Sequence, residues 1–110
     1  MKHAIVFAAA ISLASCSDGQ AGMKKMVREV LTDPNSAEFG RYEQVNSKNR
    51  DWACLEVNSK GQGGGFIGAR AARFVAPAGT VKWEFQGIAG GFDECVSMIH
   101  DMQPFEGGPR

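Results

Sequence analysis

Three cysteines, at positions 16, 54 and 95 of 110 residues, constrain this chain more than any other feature, because their number is odd and the first closes a targeting signal. Residues 1–15, MKHAIVFAAAISLAS, start with Lys2 and His3, run apolar from Ala4 to Leu13 and end in small residues. That is the pattern of a secretory signal peptide, whose apolar stretch is too short to span a bilayer. Leu13-Ala14-Ser15-Cys16 has the form of a bacterial lipobox, in which the signal is cut before the cysteine and the thiol carries diacylglycerol. The alternative is an ordinary signal peptide that contains a cysteine.

Assigning Cys16 to lipid leaves Cys54 and Cys95 as an even pair. In an oxidising envelope the default for such a pair is a disulfide. A metal site or a reactive thiol would call for a CxxC spacing or a nearby histidine, and neither is present. Closing a loop of this length restricts the unfolded chain by about 4 kcal/mol in the entropy model, a large contribution for a small domain.

The expected organisation is a signal peptide at 1–15, a lipidated N-terminus and polar tether at 16–22, one domain at 23–105 and a disordered tail at 106–110. More than one acyl chain anchors a protein stably without a transmembrane helix, and no later apolar run approaches the length of a span. The expected address is therefore the cell envelope, with the membrane as partner through Cys16. Ser17, rather than aspartate, after Cys16 points to the outer membrane, facing the periplasm, where the cell has one. Without Lys2 the twelve Lys and Arg become eleven against twelve Asp and Glu, interspersed rather than blocked. Such a balance excludes nucleic acid as partner, because phosphate binding requires a basic surface.

Met23, Met26, Val27, Val30 and Leu31 recur at helical spacing and predict a helix that stops near Thr32, since Asp33 precedes Pro34. Residues 33–36 read as a turn. Strands are expected over 39–45, over 52–57 with Cys54 facing away from Ala53, Leu55 and Val57, over 66–76 with a bulge at Gly68, and over 81–85. VKWEF at 81–85 alternates most cleanly, and 86–91 reads as a glycine-rich connection. Asp93 is the expected cap of a short C-terminal helix with Val96, Ile99 and Met102 on its apolar face. The expected fold is α+β: an N-terminal helix, about four antiparallel strands and a short C-terminal helix tied to the sheet by one disulfide.

Among motifs that could carry chemistry, NSKGQGGGFIG at 58–68 satisfies GxGxxG through Gly63, Gly65 and Gly68. Dinucleotide binding requires a helix to open at those glycines and an acidic residue about 20 positions on, and a P-loop requires Gly-Lys-Ser/Thr. Phe66-Ile67 starts a strand pattern instead, so the stretch reads as a hairpin connection, and no cofactor or metal is expected. His100 reads as an exposed helix-end side chain, and a Glu56/Glu84 pair across adjacent strands is the carboxylate arrangement to check for hydrolysis. Arg70 and Arg73 beside Phe66, Phe74 and Trp83 could form a basic and aromatic patch for a protein, lipid head group or glycan.

Leu31-Thr32-Asp33-Pro34-Asn35-Ser36-Ala37-Glu38-Phe39, followed by Cys54-Leu55-Glu56-Val57-Asn58-Ser59-Lys60 and Gly64-Gly65-Phe66-Ile67-Gly68, resembles a family of small exported proteins of uncharacterised function in bacteria and their phages. The chain departs from that pattern at Leu55, Gly61 and Gly63. The resemblance transfers no catalytic set; it implies that Asn58, Lys60 and the 64–68 segment form one unit, as partner contacts or as a stabilised turn. The functional expectation is a lipid-anchored envelope protein with a non-catalytic domain that binds another envelope protein or a glycan. A phage- or plasmid-encoded exclusion lipoprotein and a small cell-wall hydrolase or its inhibitor are the alternatives.

Overall fold

The computed structural model describes residues 19–110, so Cys16 and the signal segment lie outside the described residues. The chain is helical over 19–28 (α1), makes a 3₁₀ turn at Pro34–Ser36, and continues through β1 (Glu38–Asn46), β2 (Arg50–Asn58), β3 (Arg70–Pro77) and β4 (Glu84–Ile88) to α2 (Phe92–Met102). The four strands form one antiparallel sheet in the order β1-β2-β3-β4, so the fold is α+β as expected.

Each face of the sheet carries a helix, and β2 shows why. Ala53, Leu55 and Val57 join Met23 and Val27 of α1 in one core, with Ala72 and Phe74 of β3. Trp52 and Cys54 join Phe92, Cys95 and Ile99 of α2 in the other, with Val45, Ala71 and Val75. The period-2 alternation of a strand thus feeds two separate cores, which is why WACLEV is apolar nearly throughout. The Cys54–Cys95 disulfide ties α2 to the centre of the sheet, with Cα atoms 6.1 Å apart.

Several boundaries differ from expectation for identifiable reasons. Residues 19–22, expected in the tether, belong to α1, because the amides around the first buried residue, Met23, require carbonyl acceptors one turn earlier. Beyond residue 28 the helix tightens into i→i−3 bonds, Val30 N–H to Val27 and Leu31 N–H to Arg28, leaving Val30 exposed while Leu31 packs on the core. The strand expected over 66–76 begins only at Arg70, and β4 begins at Glu84 and runs through Gln86, Gly87 and Ile88, which were expected as a connection. The alternation of VKWEF survives in packing, since Trp83 and Phe85 both reach the α1-side core. Its first residues are nevertheless a loop, with Val81 at φ 50°. β4 absorbs one extra residue, Gln86, where Arg73 pairs with Gly87 and Phe74 with Phe85; Gly87 takes φ 126° there, a conformation suited to a bulge. The cap of α2 is Gly91 rather than Asp93: the Gly91 N–H donates to Glu94 Oε1 at 3.0 Å, and Asp93 sits in the first turn.

The tail at 106–110, expected to be disordered, is docked onto the β1–β2 hairpin. Lys48 and Asn49 amides donate to the carbonyls of Gly108 and Glu106, and Ser47 bridges to Pro109. Arg110 donates to buried Asp51 at 2.7 Å, while Arg50 pairs with Glu106. Sequence composition favours fraying of EGGPR, but two carboxylate–guanidinium pairs and a row of backbone bonds offset it. The folded unit accordingly runs over all described residues, 19–110, rather than 23–105.

Candidate functional site

The glycine-rich stretch is an arm that uses its own polar groups. Gly61 N–H donates to the Gly65 carbonyl, Gly64 N–H to Gly61 and Ile67 N–H to Ser59, all at 3.0 Å. Asn58 Oδ1 accepts the Gly68 N–H at 3.0 Å, and the Lys60 N–H donates to Ser36 Oγ at 2.8 Å. These amides therefore point at loop or 3₁₀-turn acceptors, and φ of 85° at Gly64 and 103° at Gly68 lets the arm close on itself. Of the two expected contact residues, Asn58 is a loop-stabilising side chain, and Lys60 places its ammonium 5.6 Å from the Phe66 ring centroid. Phe66 and Ile67 stay exposed on the arm.

Arg70 and Arg73 do not share a patch. Arg70 pairs with Val57 and so faces the α1 side, whereas Arg73 pairs with Cys54 and faces α2; an odd spacing along a strand separates them. Phe74 is fully buried, and Trp83 is half-buried on the α1-side core. The basic and aromatic patch is thus divided between two faces.

Arg73 instead forms the floor of a groove of about 320 Å³ between α2 and β4. α2 crosses the sheet over β2, leaving the α2-facing side of β4 uncovered. Ala71, Cys95 and Met98 supply apolar walls, and residues 87–90 form the outer lip, with the Ile88 side chain turned to the α1-side core. The Arg73 guanidinium lies 6.0 Å from the Trp52 ring, donates to Gln86 Oε1 at 3.1 Å and contacts Met98 Sδ. Arg41, Arg50 and Arg110 all pair with carboxylates; Arg73 is half-buried and pairs with none among the described residues. Glu94, at the groove rim, is engaged by the Gly91 N–H.

Comparison with family models, curated proteins and solved structures finds no match to this chain. What the site can do is therefore argued from its geometry.

The carboxylates are dispersed. Glu56 lies on β2 and Glu84 on β4, with β3 between them, so they are not neighbours across adjacent strands. Glu56 is hydrogen-bonded by the Arg41 side chain at 3.0 Å, which holds its pKa below the usual carboxylate value. Arg41 also bonds Asp93 at 3.2 Å and stacks 4.6 Å from the Phe92 ring, linking the β1 bulge to the start of α2. Gly40 beside it lies close to this pair, since a Cβ there would meet Glu56 Oε1 and displace the carboxylate from Arg41. His100 is exposed and meets Glu43 Oε2 at 2.9 Å. Burial pushes the Tyr42 phenol up to about 12, with nearby Asp51 adding to the shift, so it stays protonated and donates to Gln44 Oε1 at 2.7 Å. Among the described residues no group of three or more His, Cys, Asp or Glu could hold a metal ion.

Sequence reasoning singled out Arg73 but joined it to the wrong neighbours. Gln86 and Met98, the side chains that aim it, were missed. Their signal is the period-2 register from Cys54 to Arg73, which places Arg73 against the helix that carries Cys95.

Proposed function

We propose that this chain is a lipid-anchored protein of the bacterial envelope whose small disulfide-bonded domain binds an extended, acidic segment of another envelope protein, without catalysis of its own. The observation that carries the reading is Arg73: a half-buried guanidinium, held by neutral acceptors, at the floor of an apolar groove beside an edge strand. A partly buried cation without a carboxylate partner favours an anionic guest, since a hydrogen bond from a guanidinium to a carboxylate is charge-assisted. The groove is bounded by a strand edge on one side and a helix on the other, a geometry in which a peptide adds as a further strand and sets alternate side chains into the groove. The anchor follows from the lipobox at Leu13–Cys16, and the disulfide fits an oxidising compartment. Dispersed carboxylates, with Glu56 neutralised by Arg41, support binding over hydrolysis.

A photocrosslinking side chain at Met98, on the groove wall, is expected to give a discrete adduct in intact envelopes. Arg73→Glu should remove that adduct while leaving the amount and protease resistance of the protein unchanged. An adduct indifferent to Arg73→Glu, or no adduct from Met98, overturns the groove as the binding site.

A further inference from the structure

The loop that precedes β4 is a second candidate surface, on the opposite side of the sheet from the Arg73 groove. A shallow depression there is lined by Gly19, Gly22, Met23 and Met26 of α1 together with Val81, Lys82 and Trp83. We propose that Val81, Lys82 and Trp83, with Met26, form a surface that rests on the lipid bilayer beside the anchor.

This inference depends on the lipid anchor at Cys16 argued above. Gly19 follows Cys16 by three residues, and three residues span at most about 11 Å when fully extended. A lipid on Cys16 therefore brings the Gly19 end of α1 to the membrane surface, and the residues around Gly19 with it. Those residues have the chemistry of an interface. Trp83 is half-buried, one side packed on the core and the rest free, the amphipathic placement that tryptophan adopts at the headgroup level. Lys82 offers a cation to anionic headgroups, and no carboxylate lines the depression.

Val81 points the same way. A β-branched residue at φ 50° is disfavoured, yet Val81 holds that conformation with 71% of its surface exposed. The loop is braced from below. Gly79 N–H donates to buried Asp51 at 2.9 Å, Thr80 Oγ1 donates to the Pro77 carbonyl at 2.8 Å, and the Lys82 N–H donates to Thr80 Oγ1 at 3.2 Å. A fixed turn that presents an apolar side chain outward suits shallow insertion. β4 then runs from this loop toward residues 86–90, so the Arg73 groove opens at the end of β4 away from the bilayer.

The test uses the full chain, expressed with its signal and lipid-modified, in vesicles of phosphatidylethanolamine and phosphatidylglycerol with or without brominated acyl chains. In a Trp52→Phe background Trp83 is the sole tryptophan. Its emission is expected to be strongly quenched by the brominated lipid, and Val81→Asp should remove most of that quenching without changing the acyl mass on the protein. Should Trp52→Phe impair folding, the difference between the unsubstituted protein and Trp83→Phe reads the same quantity. Acylated protein whose Trp83 emission is equal in both vesicles overturns the surface and leaves the anchor standing. Protein that carries no acyl chain overturns the anchor, and the surface with it.

Discussion

Replacing both cysteines, Cys54→Ala with Cys95→Ala, is expected to lower the stability of the domain by about 4 kcal/mol, corresponding to a drop in Tm of roughly 20 °C. The two residues are 41 apart in sequence, so the bond closes a long loop in the unfolded chain. Both sulfurs are buried at the point where α2 meets β2. Without the bond, α2 is retained by packing of Phe92, Ile99 and partly buried Val96 and Met102, and by the Arg41–Asp93 and His100–Glu43 pairs. Those two pairs are exposed, and exposed pairs contribute little. Urea unfolding of the double variant against the oxidised protein measures the difference. A loss below about 1 kcal/mol would show that apolar packing alone holds α2 on the sheet and that the constraint on the unfolded chain counts for little.

Arg110→Ala is the second large effect, with an expected loss of about 3 kcal/mol and a Tm lower by roughly 15 °C. Asp51 is 2% exposed, and its carboxylate is held by Arg110 and the Gly79 N–H. Removing the guanidinium leaves a buried carboxylate with one amide partner, which costs far more than the pair itself contributes. The estimate sits at the low end for a buried pair because the Arg110 side chain is 41% exposed. The double variant Asp51→Asn with Arg110→Ala should recover much of the loss, because the uncompensated charge is then absent. Thermal unfolding of Arg110→Ala, Asp51→Asn and the double variant closes the cycle. Equal losses from Arg110→Ala and the double variant would mean that the uncompensated Asp51 charge is not the source of the loss.

These two sites differ in how far the sequence disclosed them. The disulfide was legible from an odd cysteine count read together with the expected exported address, both of which rest on local, chemical signals. The Asp51–Arg110 pair joins residues 59 apart, and nothing in EGGPR marks it as anchored. Its docking depends on the hairpin at 46–50 presenting free amides, a property of the assembled sheet. The same division runs through the rest of the fold. WACLEV declared its two faces because a strand alternates by geometry, and Ala53, Leu55 and Val57 do lie opposite Trp52 and Cys54. VKWEF declared a strand over residues where the chain is a loop, since alternation records which side chains face the core and not whether the backbone is paired. At the candidate site, Arg73 was visible as a residue type, but the groove is defined by where α2 ends its cover of the sheet. That limit is set by the disulfide register and the length of α2, which no local pattern carries.

The glycine-rich segment shows the same limit from the other side. Its composition raised a phosphate cradle, but the amides of Gly61, Gly64, Ile67 and Gly68 are committed to acceptors within the protein. A phosphate loop needs such amides free and convergent. The glycines permit a compact arm that carries Phe66 and Ile67 outward.

The proposed function and the bilayer-facing surface both rest on the proposed acylation of Cys16, which makes that modification the measurement of greatest weight. Cells that express the full chain and its Cys16→Ser variant are labelled with a radioactive or clickable fatty acid, and the protein is recovered and its mass determined. The expected result is label on the unsubstituted protein with a mass corresponding to cleavage before Cys16, and none on the variant. Label that persists in Cys16→Ser, or unsubstituted protein that is processed without acquiring label, contradicts the lipid anchor.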